Sequence, residues 1–160
     1  MVSNDTKGAW NMSEEIRRTE TRQEVSSYIA KLKYALDNGA SLIFQETRRV
    51  DANRDLRYSN RYAAADLFPN QNPVDGIKRV LKKLGVENYL GTVRDLRFPD
   101  RNEMREFGIT IKGHGNLYIK MRVELLADQL GHTVFVMSFH YAERPFKEED
   151  FPYRNKEGRL

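Results

Sequence analysis

A change to period-two alternation near residue 103 is the feature that most restricts the fold of this chain. Apolar residues alternate with polar or small ones from 103 to 112, and two later runs, 117–126 and 133–140, continue the pattern. Alternation of this kind is typical of strands with one buried face. Residues 113–116, Gly-His-Gly-Asn, supply a turn between the first two runs. The pattern therefore predicts an antiparallel meander of three strands.

Two helices are predicted before the meander. Thr21 and Glu24 fit a capping box, and apolar residues recur at helical spacing over 22–38. A second helix is predicted over 73–84, where Asn72 is followed by proline at the first helical position. The apolar stripes of both helices can cover one face of the sheet. The predicted fold class is α+β, with two or more helices packed on one face of a small antiparallel sheet.

The length of the chain fits one domain with appended ends. Residues 1–20 are polar with little apolar periodicity, so they are predicted to form a flexible leader. The domain is predicted to span 21–146 and to include a short apolar strand at 42–44. Residues 147–160 are predicted to be a C-terminal tail.

Composition limits the environment and the chemistry of the chain. The 160 residues include 27 Lys and Arg against 23 Asp and Glu, which gives a formal net charge of +4. Cysteine is absent, so disulfides and thiolate metal sites are excluded, and a reducing compartment fits. No apolar run approaches the roughly 20 residues that span a bilayer. We expect a cytoplasmic protein with no membrane partner, no metal and no cofactor.

Basic residues with aromatic neighbours form two candidate RNA-binding patches. The segment 47–62 is rich in arginine and also holds Tyr58 and Tyr62; guanidinium groups suit phosphate, and aromatic rings can stack on bases. The exposed side of the helix at 73–84 is also basic. An ordinary solvated surface is the alternative interpretation of both patches. The candidate RNA-binding residues, which include two from the meander, are Arg48, Arg49, Arg57, Arg61, Lys82, Lys83, Lys112 and Arg122.

Cationic and proton-handling side chains share one predicted face of the meander. Tyr118 and Lys120 lie on the same side of their strand, and His140 ends the last strand. If these strands pair, a phenol, an ammonium and an imidazole converge, and such a set can bind a phosphodiester and move its protons. RNA can be cut without a metal when its own 2′-hydroxyl attacks the phosphorus. The candidate catalytic residues are Tyr118, Lys120, His140 and Arg144; structural packing and surface ion pairing are the alternative interpretations.

Four short motifs occur in an order that resembles a known family. They are Leu84-Gly85-Val86-Glu87-Asn88-Tyr89, Glu106-Phe107-Gly108, Leu117-Tyr118-Ile119-Lys120 and Ser138-Phe139-His140-Tyr141-Ala142-Glu143-Arg144-Pro145-Phe146. Over roughly 22–146 the chain resembles the MqsR-type toxins of bacterial type II toxin–antitoxin pairs, within the group of RelE-like ribonucleases. The resemblance implies a RelE-like fold and a metal-independent endoribonuclease, an mRNA interferase. It also implies two partners: messenger RNA, free or on the ribosome, and a cognate antitoxin of helix-turn-helix type.

Position by position, the resemblance assigns the strand tyrosine to Tyr118 and the cation of the last strand to His140. Two positions depart from the family pattern. The family's lysine would fall at Leu90, and its glutamine would fall near Phe107 or Gly108. Three functions stay open at this point: an RNA-cleaving toxin, a non-catalytic RNA-binding module, and a protein-interaction or inhibitor protein.

Overall fold

The computed structural model of the protein describes residues 15–48, 53–125 and 131–154. These residues form six strands and three α-helices, in the order β1 (Glu15–Arg18), α1 (Arg22–Asp37), β2 (Ser41–Phe44), α2 (Asn60–Leu67), α3 (Pro73–Leu81), β3 (Tyr89–Asp95), β4 (Met104–Ile111), β5 (Gly115–Leu125) and β6 (His132–Tyr141). The strands belong to one sheet of order β1-β3-β4-β5-β6-β2. Neighbouring strands are antiparallel except β2 and β6, which are parallel.

The antiparallel meander predicted from the alternation is confirmed. β4 pairs with β5, and β5 pairs with β6, in antiparallel register. The β4–β5 turn contains Gly113 and Gly115, whose φ angles of 82° and 125° are rare for residues that carry a side chain. The three helices and the mostly antiparallel sheet make the fold α+β, as predicted.

Helices α1 and α3 begin where their capping residues predict. The Thr21 hydroxyl accepts a hydrogen bond from the Glu24 N–H at 3.1 Å, and the Glu24 carboxylate accepts one from the Thr21 N–H at 2.9 Å. The Asn72 side chain caps α3 by accepting from a backbone N–H two residues later. Helix α3 ends at Leu81 rather than at the predicted residue 84, because the N–H groups of Lys83 and Leu84 bond to carbonyls three residues back.

The core lies between the helices and one face of the sheet. Leu117, Ile119 and Met121 of β5 are fully buried. They pack with apolar residues of α1 and α3, which include Val25, Ile29, Leu32, Leu36, Ile77, Val80 and Leu81. Since successive side chains of a strand point to opposite faces, the residues between them lie on the other face of the sheet. That second face, called the outer face below, carries Glu106, Gly108, Tyr118, Lys120, Arg122, Ser138 and His140.

The start of helix α2 lies against β6 just beyond the end of β2. It begins after Ser59, whose hydroxyl accepts a hydrogen bond from a backbone N–H three residues later at 3.1 Å. The Asn60 amide donates to the carbonyls of Gln45 and Met137 at 2.8 and 2.9 Å and accepts from the Phe139 N–H at 2.9 Å. The Asn60 side chain therefore supplies hydrogen-bond partners to the backbone of β6 beyond the last residue of β2, where the β5–β6 register shifts by one residue.

Strand β1 corrects the predicted boundary of the leader. The leader is predicted to run to residue 20, but Glu15–Arg18 pairs with β3, and Glu20 is buried. All four residues of β1 are exposed, so no alternation marks the strand in the sequence. An ion pair supports it instead, since Arg18 Nη2 lies 2.7 Å from Glu103 Oε1. The rest of the predicted leader, 1–14, lies outside the described residues.

The described part of the predicted tail packs on the domain. Phe151 is buried, and its ring meets that of Phe146 edge-on with 5.4 Å between centroids. Both rings lie over Gly108, where an added Cβ would come within 2.7 Å of the Phe146 ring. The Tyr153 hydroxyl donates to the carbonyl of Glu20. The tail therefore covers part of the outer face next to β4.

Candidate active site

Tyr118 and His140 lie side by side on the outer face. They are directly opposite each other in the β5–β6 register, with 5.4 Å between ring centroids. The next register pair on this face is Lys120 with Ser138. Arg144, just beyond β6, lines a shallow depression of about 280 Å³ together with Tyr118 and His140. The structure thus brings all four predicted catalytic residues to one region of the outer face.

A backbone hydrogen bond fixes the tautomer of His140. Its Nδ1 lies 2.9 Å from the carbonyl oxygen of Tyr141. A carbonyl only accepts hydrogen bonds, so Nδ1 carries the proton and the lone pair of the neutral ring is on Nε2. Nε2 has no hydrogen-bond partner among the described residues. His140 is therefore oriented by its backbone, with its basic nitrogen available to a ligand.

Burial and neighbouring charge favour the neutral form of His140. Burial is the main cause that lowers the pKa of the imidazole, and the charges of Arg54 and Arg48 lower it further. Arg48 Nη1 donates to Ser138 Oγ at 3.1 Å, and Arg54 Nε lies 3.1 Å from a carboxylate oxygen of Glu143. Two guanidinium groups therefore flank a histidine that stays in its basic form at neutral pH.

Tyr118 donates its hydroxyl proton to a buried carboxylate. The acceptor is Glu106 Oε2 on β4, and Arg17 of β1 pairs with the other oxygen of the same carboxylate. Burial, followed by the charge and hydrogen bond of Glu106, raises the pKa of the Tyr118 hydroxyl well above its usual range. A free phenol at this position could donate a proton to substrate, but the Tyr118 proton is committed to Glu106. Tyr118 thus packs beside the His140 ring with its hydroxyl already bonded to Glu106.

Arg17 reaches Glu106 by crossing over β3 at Gly91. In the β3–β4 register Gly91 is opposite Glu106. An added Cβ at Gly91 would lie 3.0 Å from Arg17 Nη2 and 3.3 Å from its Cζ. The missing side chain at Gly91 therefore leaves room for the guanidinium, which connects the edge strand β1 to the centre of the outer face.

The remaining cations of the outer face differ in how they are paired. Lys120 Nζ lies 3.3 Å from Glu15 Oε2. Arg122 lies over the ring of Phe135 at 4.4 Å and donates to Glu124. Arg144 is exposed, and among the described residues it has no ion-pair partner. Arg144 is therefore the cation of this region that is most available to a phosphate.

The candidate RNA-binding residues divide between the two sides of the sheet. Arg48 and Arg122 belong to the region of the outer face, as described above. Lys82 and Lys83 follow α3, which packs on the opposite face, and Lys82 pairs with Asp37 at 3.3 Å. The predicted lysine patch therefore does not join the arginine patch beside Tyr118 and His140. Three others, Arg57, Arg61 and Lys112, are exposed, and Arg49 lies outside the described residues.

Three residues that shape the site have no assigned role in the sequence analysis. Glu106 lies on the same face as Tyr118 by simple alternation along β4, so the pattern contains a signal for it. Arg54 is part of the arginine-rich segment, but its pairing with Glu143 depends on the fold. Arg17 lies in the predicted leader, where no pattern indicates its role.

The residues at which this sequence departs from the family pattern have defined surroundings in the structure. Phe107 is fully buried in the core, and Gly108 is covered by the tail. Leu90, on β3, is half-buried. A carboxylate, Glu106, is thus the polar side chain that β4 presents to Tyr118.

A larger cleft of about 760 Å³ lies elsewhere, between α1 and the β3–β4 connection. Two of its carboxylates are paired with arginines: Glu20 Oε1 lies 2.8 Å from Arg105 Nε, and Glu103 pairs with Arg18 of β1. Glu20 also accepts from the Thr92 hydroxyl at 2.6 Å. These contacts hold β1, β3 and β4 together, so we interpret the cleft as structural.

The described residues contain neither a candidate metal site nor a candidate membrane-spanning helix. Within the described ranges, no group of three or more His, Asp or Glu side chains could hold a metal ion. None of the helices described is both long and apolar enough to cross a membrane.

Comparisons with known proteins do not identify a relative. No protein-family model, no curated protein and no solved structure matches this chain.

Proposed function

We propose that this protein is a metal-independent endoribonuclease with a RelE-like fold, the toxin of a type II toxin–antitoxin pair that cleaves messenger RNA. The observation that carries the proposal is the neutral His140 ring, held by its Nδ1–H against a carbonyl with Nε2 unoccupied. Such a nitrogen is suited to accept a proton from a ribose hydroxyl. Arginine side chains beside it supply the positive charge that a phosphodiester requires.

The proposed reaction is an attack by the 2′-oxygen on the adjacent phosphorus. His140 Nε2 accepts the proton of the 2′-hydroxyl while the new O–P bond forms. The bond between phosphorus and the 5′-oxygen then breaks, and the departing oxygen takes a proton from the ammonium of Lys120. The products are a 2′,3′-cyclic phosphate and a free 5′-hydroxyl. Exchange with water restores the proton to Lys120 and removes it from His140.

Charge stabilisation is assigned to the arginines around the depression. Arg48 and Arg54 are close enough to lower the pKa of His140, and Arg144 lines the same depression. Their guanidinium groups would bind the non-bridging oxygens, whose negative charge grows as the phosphorane forms. Tyr118 acts through its ring contact with His140, and Glu106 and Arg17 hold Tyr118 in that position.

The proposed partners follow from the same function. A toxin of this kind works in the cytoplasm on messenger RNA, free or on the ribosome, and requires an antitoxin that blocks it. We expect the antitoxin, of helix-turn-helix type, to cover the outer face, because the proposed catalytic residues lie there.

The test is cleavage of messenger RNA by the purified protein, with and without ribosomes. We expect cleavage that is unchanged by a chelator, with 2′,3′-cyclic phosphate ends on the upstream fragments, and growth arrest on expression in a bacterium. Loss of cleavage in chelator would contradict the metal-independent reaction. RNA binding without cleavage under both conditions would instead favour the non-catalytic RNA-binding module.

A further inference from the structure

A second depression adjoins the proposed active site and has the composition of a base-binding pocket. It has a volume of about 360 Å³. Ala142 and Glu143 line both depressions, so the two adjoin just beyond the end of β6. Its other lining groups come from the segment before α2, from α2, from the β4–β5 turn and from the end of β6; among them are Tyr58, Tyr62, Asp66, His114, Asn116 and Tyr141.

Aromatic rings form one side of this pocket. Tyr62 meets Tyr141 edge-on at 6.2 Å between centroids, and 42% of Tyr62 remains exposed. Tyr58 is oriented by Arg57, which lies over its ring at 5.2 Å and donates to its hydroxyl at 3.2 Å. Exposed rings beside a phosphate-binding region are the usual surfaces on which RNA bases stack.

A fixed carboxylate provides the polar recognition group. The Tyr141 hydroxyl donates to Asp66 Oδ2 at 2.6 Å, and His114 Nδ1 lies 3.2 Å from the same oxygen. The hydrogen bond from Tyr141 is the main cause that lowers the pKa of Asp66, so the carboxylate is ionised. Asp66 Oδ1 accepts no hydrogen bond from any residue that the structure describes. One oxygen therefore orients the carboxylate, and the other remains an acceptor.

An amide donor lies in the same pocket. Asn116 Oδ1 accepts from the Thr110 hydroxyl at 2.8 Å. Its Nδ2 has no acceptor among the described residues. Asn116 alternates with Tyr118 along β5, so this donor is on the outer-face side of the pocket, whereas the acceptor Asp66 Oδ1 is on the side of α2.

We infer that this pocket binds the base of a nucleotide next to the cleaved phosphate and selects guanine. That the ligand is RNA rests on the proposed function. Guanine presents two adjacent donors, N1–H and the N2 amino group, beside the acceptor O6. Both donors can share the one free oxygen, Asp66 Oδ1. Adenine and cytosine place a ring acceptor beside their amino group, and uracil has a carbonyl on each side of N3–H. A carboxylate repels those lone pairs, so the other bases fit less well.

The test measures binding rather than cleavage, so that it does not depend on catalysis. Four pentanucleotides of 2′-O-methyl RNA, identical except for G, A, C or U at the central position, are titrated by fluorescence anisotropy. The 2′-O-methyl group removes the nucleophile, and uridine fills the other positions. We expect wild type to bind the guanine probe at least about tenfold more tightly than the others, the lower range for a good base-edge contact.

Three variants separate recognition from stacking. Asp66→Asn should bind all four probes with nearly equal affinity, because the ionised acceptor is lost. Tyr62→Leu should weaken all four about equally, by roughly fivefold or more, and keep the guanine preference. Asp100→Asn removes the same charge in the β3–β4 connection, at the other end of β4, and should change nothing. Circular dichroism and thermal unfolding confirm that each variant is folded.

The outcomes distinguish this inference from the proposed reaction. Equal binding of the four probes by wild type, or an unchanged guanine preference in folded Asp66→Asn, would overturn the pocket assignment. Cleavage of unmodified RNA without base preference would overturn the inference and leave the endoribonuclease intact. A guanine preference abolished by Asp66→Asn, in a protein that cleaves no RNA, would support the pocket and contradict the catalytic proposal.

Discussion

Replacing His140 with glutamine is expected to lower RNA cleavage at least about a hundredfold, the lower range for loss of a positioned general base. Glutamine can keep a hydrogen bond to the Tyr141 carbonyl but has no basic nitrogen. Single-turnover cleavage of a fixed oligonucleotide measures the loss. His132→Gln is the matched control, because it changes another histidine of β6 at the opposite end of the strand, and its rate should equal that of wild type.

The pH dependence of the wild-type cleavage rate provides a second test of the role of His140. Burial lowers the pKa of His140 below its usual value of about 6.5. A general base acts when it is unprotonated, so the rate should rise with pH to a plateau, and the midpoint of the rise should lie below pH 6.5. The same shift makes the folded protein less stable as the pH falls below about 6.5, since the unfolded chain then binds the proton more readily. A midpoint above pH 6.5 would contradict the assignment of His140 as the base.

Tyr118→Phe should have a smaller effect on the rate than His140→Gln. Phenylalanine keeps the ring against His140 but removes the hydrogen bond to Glu106. If Tyr118 only positions His140, the cleavage rate of the variant should still fall at low pH, as is expected for wild type. If Tyr118→Phe abolished cleavage while His140→Gln did not, the roles of the two residues would have to be exchanged.

Reversing two arginine charges on the outer face is expected to weaken RNA binding at least about a hundredfold. The variant is Arg48→Glu with Arg144→Glu, and each charge-assisted hydrogen bond contributes about 1.5–3 kcal/mol. The slope of log affinity against log salt should fall by about 1.4 for two lost contacts with single-stranded phosphates. Binding to a non-cleavable 2′-O-methyl RNA at several salt concentrations measures both quantities.

The matched control is Lys82→Glu with Lys83→Glu, which changes the net charge by the same amount. These lysines follow α3 on the opposite face of the sheet, so the salt slope should stay within error of wild type and the affinity should change only slightly. Equal losses in the two double variants would show that RNA responds to total charge rather than to the outer face.

The central meander could be predicted because its signals are local. The alternation predicted along 117–126 and the turn glycines at 113 and 115 depend on neighbouring residues, and the structure has both, the alternation within the described part of β5. The convergence of Tyr118 with His140 also follows from alternation once the two strands pair. Strand β1 could not be found in this way, because its four residues are all exposed and carry no period.

Contacts between distant segments account for the rest of what the sequence could not show. The link from Arg17 to Glu106 requires the β1–β3–β4 order and the gap at Gly91. The lysines after α3 look like a phosphate-binding patch, yet the apolar stripe of that helix faces the core, so its basic side points away from the outer face. A pattern shows which face of a helix is basic but not which side of the sheet the helix covers.

The most direct test of the proposed reaction uses an oligonucleotide of deoxyribonucleotides with a single ribonucleotide. Only that position has a 2′-hydroxyl, so the reaction assigned to His140 can occur only at the phosphate that follows it. We predict one cut at that phosphate, with a 2′,3′-cyclic phosphate on the upstream product, and no cut when the ribonucleotide is replaced by its 2′-deoxy form. Cleavage of the all-deoxy strand, or a cut elsewhere in the chimera, would contradict attack by the 2′-hydroxyl.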